Sequence, residues 1–129
     1  PVTFIFMTGH ANTGNNTGDG KPKNQAELIN NHCIKNGYYC LDYYSIDTHD
    51  MGDNYWEDTG DNGNSDSYVG NFYIDWQNAH QLGSDWYENK SSPGGSAEFG
   101  AHNSQHITAN RKAYAMWWIM ARLAGWNGV

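Results

Sequence analysis

Positive charge is scarce in this chain. Seven Lys and Arg stand against fourteen Asp and Glu, a formal net charge of −7 over 129 residues. So few cations cannot form a basic track along phosphates, which argues against nucleic acid as a partner. It argues equally against adhesion to anionic membrane surfaces. Long hydrophobic runs are missing too. The longest, Ala113 to Ala124, falls short of the ~20 residues that span a bilayer and is broken by Arg122, so membrane insertion is not expected. There is no Gly-rich phosphate loop, no zinc-type cysteine pairing, no haem attachment motif and no Gly-x-Ser-x-Gly elbow. Gly94-Gly95-Ser96 reads as a flexible turn. No initiator Met or signal peptide is visible, so the chain reads as mature, processed or partial.

Asn, Gly, Ser and Thr carry the polar load instead. Charged residues make up 16% of the chain, below the usual quarter or so. An acidic, Asn- and Gly-rich, Lys-poor surface suits an extracellular protein or a cation binder. The length allows one domain, residues 1–129, with a core of its own.

The chain opens on Val2-Thr3-Phe4-Ile5-Phe6-Met7, an apolar, β-rich run that reads as a buried strand over 2–8. Thr8-Gly9-His10-Ala11-Asn12 follows at once. Small polar residues at the end of a buried strand are how an open parallel sheet presents a ligand site. Asn24 with Glu27 suggests a capped helix from Gln25 to Asn36, ended by Gly37. Tyr38 to Ile46 reads as a second strand. Strand, helix, strand implies a parallel βαβ unit, with Gly9–Asn12 beside Asp42–Asp50. Residues 47–70 read as a long acidic loop, 71–82 as a short helix and 83–105 as irregular. Thr108 is positioned to cap a last helix from Ala109 to Ala124. Its stripe of Ala113, Met116, Trp117, Met120 and Ala124 is expected to face the core.

Several groups have the chemistry of a site. Six histidines are present: His10, His32, His49, His80, His102 and His106. A histidine before the last helix can reach over strand ends as a general base, although ordinary polar loop histidines fit the same pattern. Asp58-Thr59-Gly60-Asp61-Asn62-Gly63-Asn64-Ser65-Asp66 alternates oxygen ligands with turn-forming glycines. Calcium bound by Asp58, Asp61 and Asp66 is one expectation, and a solvated acidic loop is the other. Cys33 and Cys40 have a spacing open to a disulfide or to two buried thiols. Asn15-Asn16-Thr17 and Asn89-Lys90-Ser91 match the glycosylation acceptor pattern at Asn15 and Asn89, a triplet that also recurs by chance in an Asn-rich chain.

Phe4-Ile5-Phe6-Met7-Thr8-Gly9-His10-Ala11-Asn12 resembles the strand end that contributes an oxyanion-hole Asn in SGNH (GDSL-type) hydrolases. His102-Asn103-Ser104-Gln105-His106, followed by Ala113-Tyr114-Ala115-Met116-Trp117-Trp118, resembles that family's late block, which carries the general base. The chain is also similar to secreted bacterial proteins with the same strand end and terminal helix. The resemblance implies a partial flavodoxin-like α/β domain, with Gly9, His10 and Asn12 at the pocket and His102 as base. The chain departs from the family at several points. Asn12 comes one residue late with no Asp after it, Phe99 stands three residues before His102, and the Gly-Asp-Ser nucleophile block and the second-block Gly are missing.

Two functions follow. One is ester hydrolysis on a glycan or lipid, with a missing segment supplying the serine. The other is a non-catalytic extracellular subunit that self-associates into oligomers or fibres through an open sheet edge. Tyr43, Tyr44, Tyr55, Trp56, Trp76, Trp86 and Tyr87 suit either subunit packing or stacking on carbohydrate.

Overall fold

A computed structural model describes residues 1–88 and 105–129. The architecture is mixed α/β, with small sheets and helices. The elements are β1 (Ile5–Met7), α1 (Pro22–Asn36), β2 (Tyr39–Leu41), α2 (Tyr43–Thr48), β3 (Asn64–Ser65), β4 (Gly70–Asn71), α3 (Phe72–Ala79) and α4 (His106–Leu123). β1 and β2 pair in parallel, Ile5 opposite Tyr39 and Met7 opposite Leu41. The expected parallel strand–helix–strand unit is present, although its strands are shorter than the sequence suggests. β3 and β4 form a separate antiparallel pair.

Local chemistry sets the helix ends. α1 starts at Pro22, three residues before the expected start at Gln25. Proline's fixed φ favours the first helical turn, where its missing N–H costs nothing, and this displaces the Asn24 cap. Gly37 ends the helix as expected. It sits at φ 67°, and the Tyr38 amide reaches back to the Cys33 carbonyl at 2.9 Å. The second strand does not run to Ile46. Asp42 takes the Ser45 amide at 3.1 Å and the Ser45 hydroxyl at 2.6 Å, and this cap turns the chain into α2. Asn71 caps α3 by accepting from the Tyr73 and Ile74 amides.

α4 begins at His106, not Ala109. The Gln77 side chain on α3 accepts the Ile107 amide at 2.9 Å and supplies the cap that Thr108 was expected to provide. Thr108 is instead fully buried inside the helix, with no hydrogen-bond partner for its hydroxyl.

The core forms two clusters. Ala11, Ala26 and Tyr44 pack between the β1 loop, α1 and α2. Phe72, Tyr73 and Ile107 pack with Met51, Trp56, Tyr68, Trp76 and Trp86 around them. α4 lies against α2, β2 and α3. It buries Ile107, Thr108, Lys112 and Ile119. The expected core stripe of Ala113, Met116, Trp117, Met120 and Ala124 is solvent-exposed, Trp117 by 63%. The first strand is not a buried one either: Val2, Phe4 and Met7 are exposed, Phe4 by 75%. β1 pairs only with β2 among the described residues, and α4 turns Ile107, Thr108, Lys112 and Ile119 inward in place of the expected stripe. No helix among the described residues is long and apolar enough to cross a membrane.

Candidate functional site

The site is built where β1 and β2 end side by side. The Thr8 hydroxyl donates to Asp42 at 2.8 Å and accepts the Tyr44 amide at 3.0 Å, which ties the end of β1 to the start of α2. The expected proximity of Gly9–Asn12 to Asp42–Asp50 is therefore present. One step on, the Ala11 amide donates to Asp47 Oδ2 at 3.0 Å. Asp47 is fully buried, and the Lys112 ammonium stands 2.7 Å from its Oδ1 as an ion pair outside hydrogen-bond geometry. Lys112 also lies 4.7 Å from the centroid of the Tyr43 ring. Burial pushes the Asp47 carboxyl above its ordinary value, and Lys112 and the Ala11 amide pull against that shift.

Asn16 locks the rest of the loop. Its Oδ1 accepts the Asn12 amide at 2.7 Å, and its Nδ2 donates to the Glu57 and Thr59 carbonyls at 2.8 and 2.7 Å. Gly14 donates to the Asp58 carbonyl at 2.7 Å. Gly60 allows the two loops to meet, because a Cβ there would overlap the Thr13 hydroxyl. The backbone amides of Ala11 and Asn12 are thus engaged inside the protein. The Asn12 side chain is left exposed at this turn.

His10 is exposed on the same loop, with Nδ1 2.9 Å from the Ala11 carbonyl. A carbonyl only accepts, so Nδ1 carries the proton, and in the neutral ring the lone pair lies on Nε2. Gly9 is exposed beside it, with open space around its Cα. His102, the expected base, lies outside the described residues, as does Asn89.

The other histidines have local partners. His32 packs edge-on against Phe6, and His49 Nδ1 stands 2.8 Å from the Ser45 carbonyl. His80 stacks on Trp76 at 3.8 Å, and His106 stacks on Trp86 at 5.5 Å.

α4 holds this end of the molecule from the far side. Arg111 donates to the His49 carbonyl at 2.7 Å and to the Tyr73 hydroxyl at 2.8 Å. Tyr73 donates to the His49 and Ile46 carbonyls. A guanidinium on the last carbonyls of α2 satisfies groups the helix cannot pair itself and favours its negative end. Arg111 and Lys112, adjacent on α4, thus fix the short helix that carries Asp47.

The acidic segment is organised by its own hydrogen bonds. Asp58 accepts from the Ser65 hydroxyl at 2.8 Å, the Asp66 amide at 2.7 Å and the Ser67 amide at 3.1 Å. Burial opposes its charge, but these donors outweigh it and hold the carboxyl below the usual range. Asp61 is buried and Asp66 exposed. No group of three or more His, Cys, Asp or Glu side chains that could hold a metal occurs among the described residues.

Cys33 and Cys40 are free thiols, so the disulfide alternative is not realised. Cys40 donates to Asn30 Oδ1 at 3.2 Å, and its pKa is pushed up to about 12 by burial and by the adjacent Cys33 thiol. Asn15 is exposed and Asn16 buried, so the first acceptor triplet presents its Asn to solvent.

Asp47, Lys112, Asn16 and Thr8 organise the site, and sequence reasoning gave none of them a role. Apart from Asn12, four residues from Asn16, their partners lie tens of residues away, and no short motif marks such pairings. Comparison of the chain with protein-family models, curated proteins and solved structures finds no match.

Proposed function

We propose that this chain is part of an extracellular hydrolase-like domain of the SGNH type, in which the β1 loop contributes to an ester-cleaving site. In this reading β1 and β2 are neighbouring strands of a larger flavodoxin-like parallel sheet, and the nucleophilic serine comes from a segment packed beside β1. The serine oxygen attacks the acyl carbon as His102 takes its proton, and that proton then passes to the leaving alcohol. Water releases the acyl group by the reverse sequence. The Asn12 amide donates to the carbonyl oxygen as it gains charge, and His10 borders the pocket.

The observation that supports this most is the presentation of Asn12. Its backbone amide is held by Asn16 at 2.7 Å, while its side chain stands exposed at the C-terminal end of a parallel strand pair. The native material, treated with a serine-directed fluorophosphonate, should take up label on this chain or on a co-purifying polypeptide. Folded protein that takes up none would sink the proposal.

One observation favours a second reading, a self-associating subunit without catalysis. β1 carries no charged residue and leaves Met7 exposed, as is Phe4 just before the strand, and α4 presents Trp117 and Met120 to solvent. Parallel strands are normally covered on both faces, and uncharged strand edges pair readily with other chains. Sedimentation velocity decides this reading: a stable monomer at micromolar concentration rejects it.

A further inference from the structure

A cleft of about 420 Å³ opens beside the β1 loop, within the size range of small-ligand sites. Asn16, Thr17, Tyr55, Trp56, Glu57 and Ser67 contribute to its walls. Its aromatic wall is rigid. The Trp56 indole donates to Asp50 at 2.9 Å, and its ring meets Tyr68 edge-on and lies over Phe72. Tyr55 is 41% exposed, and its hydroxyl is fixed against that of Tyr44 at 2.8 Å.

The charges in the wall are already compensated. Glu57 Oε2 pairs with Lys23 at 2.6 Å. The Asp58 carboxylate accepts three donors of its own loop. A cation therefore finds no uncompensated acid, and an anion meets two carboxylates. A lipid chain needs a wholly apolar wall, and this one is interrupted by hydroxyl-bearing residues and two carboxylates. What fits is a neutral, polyhydroxylated ligand. Its C–H face lies on the aromatic surface, and its hydroxyls reach the Thr17 and Ser67 hydroxyls and the outer oxygen of Glu57.

We propose that this cleft binds a neutral saccharide. Asn16 joins it to the candidate site, because this residue borders the cleft and its buried side chain holds the Asn12 amide at 2.7 Å. Given the ester-hydrolase reading on which this last step rests, the ester presented to Asn12 is carried by a glycan and not by a lipid.

The test is a titration of the ¹⁵N-labelled full chain with xylotetraose, cellotetraose and chitotetraose, followed by amide shifts. At least one sugar should give saturable shifts centred on Thr17, Tyr55, Trp56 and Ser67. Tyr55→Ala should weaken that binding about tenfold, the size of one aromatic contact. Ser67→Ala, on the exposed rim, should weaken it without lowering the melting temperature, so lost folding cannot mimic the result. No shifts with any of the three sugars, or shifts mapping elsewhere, would overturn the proposal, as would shifts at these residues with calcium chloride alone. The readout needs no turnover. Sugar binding without fluorophosphonate labelling would therefore reject the hydrolase reading alone, and labelling without sugar binding would reject the saccharide alone.

Discussion

The buried carboxylate of Asp47 receives the backbone amide of Ala11 at 3.0 Å, across thirty-six residues of sequence. Its second oxygen faces Lys112 at 2.7 Å, so α2 joins the β1 loop to α4. Removing one partner of a buried pair leaves the other charge uncompensated, which costs about 3–5 kcal/mol. Asp47→Ala should therefore lose stability on that scale in urea unfolding. Asp47→Leu combined with Lys112→Met should recover much of it, because no charge then remains buried. A double variant as unstable as Asp47→Ala would mean the pair does not act as a unit.

Asp58 and Asp50 set the response to acid. Burial opposes the Asp50 charge, but the Trp56 indole and donors from Asn54 and Gly52 outweigh it, so both carboxyls titrate below their unfolded values. The folded state then binds fewer protons than the unfolded state in that window. Their contribution is present above the unfolded pKa of about 3.9 and is lost as pH falls through the lower folded values. The melting temperature should drop steadily between about pH 5 and pH 2. Asp58→Asn should begin lower at pH 7 and drop less over the same range. Because Asp58 already accepts three donors, neither EDTA nor calcium chloride should move the melting temperature.

The cysteines give a chemical check on the fold. A thiol whose pKa is pushed up to about 12 is almost entirely protonated at pH 8, and thiolate is the reactive form. Cys40, together with buried Cys33, should resist iodoacetamide in the native protein. Both should be alkylated once the chain is unfolded in guanidinium without reductant. Two unreactive cysteines after unfolding would show a disulfide instead.

Sequence reasoning reached the features that depend on neighbours. Gly37 as a helix stop, a short helix within residues 71–82 and the parallel pairing of the first two strands all follow from local pattern, although that helix stops at Ala79. It failed where one local signal outweighed another, as when Asp42 and Ser45 turned a strand-like run into α2. It failed more deeply at α4. A stripe of Trp and Met carries no mark of which element covers it, and here Lys112 and Thr108 face inward while Trp117 faces out. The site was legible only in part. Gly9, His10 and Asn12 stand out as a strand-end loop, but Asp47, and Asn16 in its bonds to the 57–59 loop, act through partners that folding alone brings near.

Asn12 and Asn16 separate positioning from chemistry. Asn16 is buried, and its amide meets the Asn12 amide and two carbonyls of the 57–59 loop. Asn16→Ala strands those groups without partners, each costing about 1–3 kcal/mol, so unfolding should shift to clearly lower urea. Asn12 contributes only its backbone to that network, and its side chain is exposed. Asn12→Ala should therefore unfold within about 0.5 kcal/mol of the parent, as surface substitutions do. If Asn12 carries the oxyanion, the same variant should lower the turnover of a p-nitrophenyl ester by roughly 100-fold or more. The KM should stay near the parent value, because the interaction belongs to the transition state. Unchanged turnover in a stable Asn12→Ala protein would remove Asn12 from the mechanism. Equal destabilisation of the two variants would mean that the Asn12 side chain, too, is structural.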